Sequence, residues 1–107
     1  MQPQVVNFKN IHPCWGRYSD VYIGRAMPRF HLIESPFANP FKIDSRMNRR
    51  MSLLRYEDFI RRRLKEDPGL LEALKELSNA QRLVCWCKPD ACHGDILVTL
   101  MKEYGFI

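Results

Sequence analysis

The strongest chemical signal in the sequence is a run of cysteine, histidine and aspartate residues near the C-terminus. It has the pattern Cys85-x-Cys87-x4-Cys92-His93-Gly94-Asp95. Thiolate and imidazole groups are preferred zinc ligands, so one interpretation is a zinc site built from some of Cys85, Cys87, Cys92 and His93. The spacing differs from the usual CxxC knuckle of structural zinc sites, and two other interpretations therefore stay open.

The second interpretation is thiol catalysis. A helix N-terminus favours the thiolate form of a cysteine, so Cys92 or Cys87 would be the nucleophile, with His93 or His12 as the proton carrier. On this interpretation the candidate catalytic residues are Cys92, His93 and Asp95. In the third interpretation the cysteines are small packing residues, as buried free cysteines often are, and His93 and Asp95 make helix-cap and ligand hydrogen bonds.

The same region also suits an anionic ligand. Backbone amides in the first turn of a helix bind anions, and Gly94 would let a ligand approach the backbone closely. Arg25, just after a predicted strand, could hold a phosphate or carboxylate with two hydrogen bonds, although a surface ion pair explains it equally well. Asn39, in a proline-stiffened loop, could contact a base or ribose, or could bond only its own backbone.

Three apolar segments predict the strands that position these residues, namely Val5–Phe8, Val21–Gly24 and Arg82–Cys87. The last segment is apolar on both faces, which is typical of a central strand in an α/β fold. Because strand side chains alternate, Cys85 and Cys87 should share one face and Trp86 the other. The site is then expected at the carboxyl ends of the second and third strands, where open α/β sheets bind ligands.

Helical periodicity predicts three helices. The first starts at Asp44, Ser45, Asn48 or Ser52 and carries an apolar stripe from Leu53 to Leu64. The second has Asp67 as cap and Pro68 at its first position. The third is capped by Asp90, has Cys92 and His93 in its first turn, and stops at Gly105. We therefore expect one α/β domain over residues 1–107, with a sheet of about three strands packed by three helices.

The positive charge lies in the first part of the chain. Residues 1–65 hold 13 of the 17 Lys and Arg residues but only 5 of the 12 Asp and Glu residues. Nucleic acid is a candidate partner on this ground, contacted through Arg49, Arg50, Arg61, Arg62 and Arg63; a solvated helix face is the alternative. The sequence has no apolar run of membrane-spanning length and no secretory signal, so a cytoplasmic protein without a membrane partner is expected.

Three motifs give the sequence a resemblance to a known family. They are Val21-Tyr22-Ile23-Gly24-Arg25, Ser35-Pro36-Phe37-Ala38-Asn39-Pro40-Phe41, and Leu83-Val84-Cys85-Trp86-Cys87-Lys88-Pro89 with Cys92-His93-Gly94-Asp95. In this order they resemble domain-of-unknown-function family 4326, whose members are short proteins or domains of bacteria and especially bacteriophages. The chain departs from the family pattern at Ala38, where a glycine is usual, and by extra residues over 26–34 and 46–50.

The resemblance implies that the matching residues form one shared site, and it adds Ser35 to the candidates. Ligand binding is accordingly assigned to Arg25, Ser35, Asn39 and Gly94. The favoured function is binding of a nucleotide or nucleotide-derived anion at the strand edge, with chemistry on that ligand left open. Two alternatives remain: a nucleic-acid-binding accessory protein with a structural zinc ion, and a non-catalytic phage protein that inhibits or sequesters a host component.

Overall fold

A three-stranded parallel sheet forms the centre of the molecule. The structure, a computed structural model, describes residues 2–11 and 19–107. Strands β1 (Gln4–Asn7), β2 (Asp20–Tyr22) and β3 (Arg82–Cys85) lie in the order β1-β3-β2. Leu83 of β3 pairs with a valine on each side, Val5 and Val21. The predicted α/β class and the central position of the third strand are thus confirmed.

Within residues 2–11 and 19–107, four α-helices accompany the sheet, one more than predicted. They are α1 (Phe8–Ile11), α2 (Arg49–Glu66), α3 (Pro68–Leu77) and α4 (His93–Glu103). The additional helix is α1, and it corrects the predicted strand over Val5–Phe8, because Phe8 already begins the helix. The cause is Asn7, whose Oδ1 accepts a hydrogen bond from the Lys9 amide at 2.9 Å and so caps the first turn.

The two faces of the sheet carry separate apolar cores. On one face Ile23, Leu83 and Cys85 are buried against α2, α3 and α4. On the other face Val84 is buried with Phe8, and Trp86 packs against the same cluster. The expected alternation of Cys85 and Trp86 across the sheet is confirmed, although β3 itself ends at Cys85 and residues 86 and 87 lie beyond its last pairing.

The long helices begin at residues that satisfy their free amides. Asp67 caps α3 by accepting from the Leu70 amide, as predicted. Of the four predicted starts of α2, Asn48 is its cap and accepts from the Met51 amide. In α2 the apolar stripe buries Tyr56, Ile60 and Leu64. None of the helices in the described ranges combines the length and apolar character needed to cross a bilayer.

Helix α4 starts differently from the prediction. Its N-cap is Cys92 rather than Asp90. The Cys92 sulfur accepts from the Gly94 amide, and the Asp95 carboxylate accepts from the Cys92 amide, which is a reciprocal capping box. The helix therefore begins only after Cys92, which places this sulfur at the junction of helix and sheet.

Candidate functional site

Three thiols meet at the carboxyl end of the central strand. Cys85 ends β3, Cys87 follows two residues later, and Cys92 caps α4. Their sulfur atoms all lie within 4.8 Å of one another, and Cys92 Sγ donates to Cys85 Sγ across 3.0 Å. Cys85 and Cys92 are buried and Cys87 is half-buried. The strand end and helix start thus bring together the three cysteines that the sequence singled out.

The imidazole of His93 stands beside this cluster in a fixed orientation. Its Nε2 lies 2.7 Å from the backbone oxygen of Ile23, just after β2. A carbonyl oxygen only accepts, so Nε2 carries the proton and Nδ1 of the neutral ring carries the lone pair. That Nδ1 lies 3.6 Å from Cys92 Sγ. The ring is also packed edge-on against Tyr56, with 5.2 Å between centroids.

The pKa of each thiol in the cluster depends on the other two, because the three sulfur atoms share hydrogen bonds. Bonds from Cys85 and Cys92 hold the pKa of Cys87 far below its usual value. The neighbouring thiols, and then burial, raise the pKa of Cys92, and the bond to Cys87 raises the pKa of Cys85. Like charges this close resist ionising together. A bound divalent cation removes that repulsion, since a coordinating thiol is deprotonated outright.

Asn7 holds the segment that carries Cys87, and the sequence analysis did not identify it. Its Nδ2 donates to the backbone oxygens of Trp86 at 3.0 Å and Lys88 at 2.8 Å. These two carbonyls flank Cys87, so the buried Asn7 amide fixes the backbone on both sides of that thiol. The sequence indicates Asn7 only weakly: it is a single asparagine at the end of an apolar strand, and asparagine is a residue type that can cap a helix.

The cysteine cluster opens onto a cleft of about 730 Å³. Cys85, Cys87 and His93 contribute to one wall, whereas the lining does not include Cys92, which is 1% exposed. The proposed nucleophile Cys92 instead lines a separate groove between α2 and α4, and Cys87 is the half-buried thiol at the cleft. Arg25 lies on the cleft, and its Nε donates to the backbone oxygen of Asn39 at 2.8 Å.

The loop over residues 35–41 contributes Asn39 and Phe41 to the lining of the cleft. Hydrogen bonds within the loop and to α2 fix its shape. Asn39 accepts from the Phe41 amide with its Oδ1 and donates to Ser52 Oγ with its Nδ2. Ser35 Oγ accepts from the Phe37 amide at 3.0 Å. Both side chains thus shape the loop. Asn39 also lines the cleft, so its contact with a base or ribose stays a prediction.

Ser52 anchors this loop to α2 and was missed as a functional residue. It is 1% exposed; its hydroxyl donates to the backbone oxygen of Phe41 and accepts from Asn39. Its signal was a small polar residue on the apolar face of the predicted helix, next to Tyr56. The hydroxyl of Tyr56 completes the anchor by donating to the backbone oxygen of Phe37 at 2.8 Å.

Two other predicted residues lie away from the cleft. The Asp95 carboxylate pairs with Lys88 Nζ at 2.7 Å, and Asp95 lines a separate groove between α2 and α4. A β-carbon added at Gly94 would lie 2.8 Å from Val5 and 2.9 Å from Ile23. Gly94 therefore permits close packing of α4 on the sheet, rather than the approach of a ligand.

Most of the arginines proposed to contact nucleic acid form ion pairs with carboxylates of the protein itself. The pairs are Arg49–Asp90, Arg61 with Glu57 and Glu103, Arg62–Asp58 and Arg63–Asp67. Arg50 is exposed and lines the groove beside α4. His12, the alternative proton carrier, lies outside the described residues.

Comparison with known proteins gives one match. Neither the curated proteins nor the solved structures yield a significant relative. The sequence profile of one family matches residues 6–103, nearly the whole chain, and includes the strand ends, the cysteine cluster and the loop over the cleft. The resemblance inferred from the three motifs is thereby confirmed: the chain belongs to the family described as a domain of unknown function, DUF4326.

Proposed function

We propose that the cleft binds a nucleotide or a nucleotide-derived anion. The observation that carries this proposal is the position of Arg25. Its Nε is engaged by the Asn39 carbonyl, and within residues 2–11 and 19–107 no protein group pairs with the two terminal nitrogens of its guanidinium. An arginine held through Nε presents its remaining donors in a fixed direction, which suits a phosphate group.

The rest of the lining supports the same class of ligand. Three basic side chains and one acidic side chain line the cleft: Arg25, Lys42, Arg49 and Glu34. Of the three basic side chains, Arg49 is paired with Asp90 at 3.4 Å. Three aromatic residues, Tyr22, Phe41 and Trp86, also line the cleft. Basic groups attract phosphate, and aromatic faces stack on bases, so the combination suits a nucleotide better than a bare phosphate ion or an apolar molecule.

We propose further that the three cysteines hold a zinc ion. A set of thiolates selects zinc over the oxygen-seeking ions magnesium and calcium. The ion would sit in the wall of the cleft and fix the end of β3 relative to α4. These groups support ligand binding; of the candidates for thiol catalysis, Cys87 and His93 line the cleft, whereas Cys92 and Asp95 do not.

Isothermal titration tests the binding proposal. The zinc-loaded protein is titrated with AMP, GMP, CMP, UMP, ADP and NAD⁺. At least one nucleotide should bind, and Arg25→Gln should weaken that binding by about 10- to 100-fold, the value of a hydrogen bond to a charged group of roughly 1.5–3 kcal/mol. The matched control is Arg29→Gln, an exposed arginine that does not line the cleft.

The outcomes separate the proposal from its alternatives. Equal weakening in both arginine variants would indicate non-specific attraction by the basic surface. Absence of binding for all six nucleotides would overturn the proposal.

A further inference from the structure

We infer that His93 Nδ1 is the fourth protein ligand of the metal, so that Cys85, Cys87, Cys92 and His93 form a closed tetrahedral centre. This inference rests on the zinc ion of the proposed function and specifies its coordination. The number of protein ligands distinguishes a catalytic zinc site from a structural one. A zinc ion with three protein ligands keeps an open position for water or substrate, whereas one with four protein ligands is structural.

The distance between Cys92 Sγ and His93 Nδ1 suits two ligands of one metal ion. In a tetrahedral zinc site, with bonds of roughly 2.3 Å to sulfur and 2.0 Å to nitrogen, a sulfur and a nitrogen ligand lie about 3.5 Å apart. Cys92 Sγ and His93 Nδ1 are 3.6 Å apart. This His93 nitrogen lies more than 4.8 Å from at least one of the other two sulfur atoms, so the centre must contract when it binds the metal. The sulfur atoms of Cys85 and Cys92 are closer, at 3.0 Å, and should separate to about 3.8 Å when they share a metal.

The orientation of the ring supports the same conclusion. Zinc-bound histidines usually donate their second ring N–H to a carboxylate or a backbone carbonyl, which fixes the tautomer. His93 has this arrangement, because Nε2 donates to the Ile23 carbonyl at 2.7 Å. The lone pair of Nδ1 is consequently on the side of the ring that approaches the thiols. The ring is buried and packs edge-on against Tyr56.

A closed centre has a consequence for the cleft. The Ile23 carbonyl is two residues from Arg25, so His93 would link the metal to the backbone that carries the proposed phosphate-binding side chain. The ligand would bind beside the metal and not on it. The zinc ion would then maintain the shape of the cleft without activating a water molecule.

Cobalt substitution tests the coordination. Tetrahedral Co²⁺ gives visible bands that depend on the number of sulfur and nitrogen ligands. For the Co²⁺-loaded protein we expect the bands of three sulfur ligands and one nitrogen ligand, unchanged by added azide or AMP. His93→Gln should shift these bands, make them sensitive to azide, and lower metal affinity at least about 10-fold.

The choice of variants separates loss of a ligand from loss of structure. Glutamine at position 93 can still donate an N–H to the Ile23 carbonyl while it offers nothing at the Nδ1 position. His31→Asn is the matched control, because His31 is exposed and has a positive φ of 57° that asparagine tolerates. X-ray absorption at the zinc edge of the unmodified protein counts the ligands without any substitution.

Three results are informative. Three sulfurs and one nitrogen in the X-ray data, with azide-insensitive bands, would support the inference. Azide-sensitive bands that are the same in wild type and His93→Gln would overturn the inference while leaving the zinc proposal intact. A protein that binds neither zinc nor cobalt would overturn the zinc proposal itself.

Discussion

The close packing of α4 on the sheet gives a quantitative test at Gly94. A β-carbon at this position would lie 2.8 Å from Val5 Cγ1 and 2.9 Å from Ile23 Cδ1, both closer than carbon atoms pack. These contacts come from β1 and from the residue after β2, so the helix cannot move away from one strand without changing its distance to the other. Ile23 is fully buried and has little freedom to adjust.

The expected loss of stability follows from two opposing terms. Overpacking of this kind costs about 1–3 kcal/mol, and alanine regains up to about 1 kcal/mol over glycine in a helix. With the full helix gain subtracted, Gly94→Ala should destabilise the protein by up to about 2 kcal/mol. For a domain of about 100 residues this corresponds to a fall in Tm of up to about 15 °C.

Gly69→Ala is the matched control. Gly69 is the second residue of α3 as Gly94 is the second residue of α4. Gly69 is exposed, and its added β-carbon would meet only Asp67 Oδ1, at 3.2 Å. We expect this variant to be as stable as wild type or up to about 1 kcal/mol more stable. Urea unfolding of both variants provides the comparison, and equal stability would refute the packing argument.

Three further substitutions probe the contacts around the cleft. Ser52→Ala removes the partner of the Phe41 carbonyl and of the Asn39 amide, and it should cost about 1–3 kcal/mol in urea unfolding; the exposed Ser45→Ala should be neutral, and equal losses would contradict the anchor. Asp20→Asn leaves Arg82 without the carboxylate that it contacts at 2.6 Å, where the Asp20 side chain is 1% exposed. It should cost about 3–5 kcal/mol, and a loss below about 1 kcal/mol would argue against a buried pair. Asn7→Ala frees the backbone on both sides of Cys87 and should weaken zinc binding about 10- to 100-fold in chelator competition; unchanged affinity would show that Cys87 needs no such support.

The elements that follow local rules could be predicted from the sequence. Asp67-Pro68 starts a helix because both residues act on adjacent backbone groups. Alternation along β3 and the residue that follows it places Cys85 and Trp86 on opposite faces, which is also a property of neighbouring residues. The meeting of Cys85, Cys87 and Cys92 was also predictable, because a strand end and the following helix start are separated by only a short loop.

The contacts between distant segments could not be predicted in this way. The Ile23 carbonyl that orients His93 is 70 residues away, and the Trp86 carbonyl bonded by Asn7 is 79 residues away. No local pattern indicates which strands pair or in which register. Gly94 illustrates the difference, since its sequence context suited ligand approach and only the packing of β1 and β2 shows that two side chains fill the space.

The predictions from the sequence also differ from the structure at polar residues that have two plausible roles. Asp95 was a candidate acid or base, but its distance of three residues from Cys92 also fits a capping box. The structure uses the carboxylate for the cap and for Lys88. Asn39 similarly bonds Phe41 and Ser52. In both cases the polar side chain bonds the nearest backbone or side-chain group, because the protein would lose stability if that group were left unpaired.

The metal content of the purified protein tests the account most directly. The protein is purified without added metal or chelator, and zinc is measured by elemental analysis against protein concentration. We predict one zinc ion per chain in the wild type, and none in a variant with Cys85, Cys87 and Cys92 all replaced by serine. A wild-type protein without zinc that also fails to take up added zinc, with all three thiols reactive, would contradict the account.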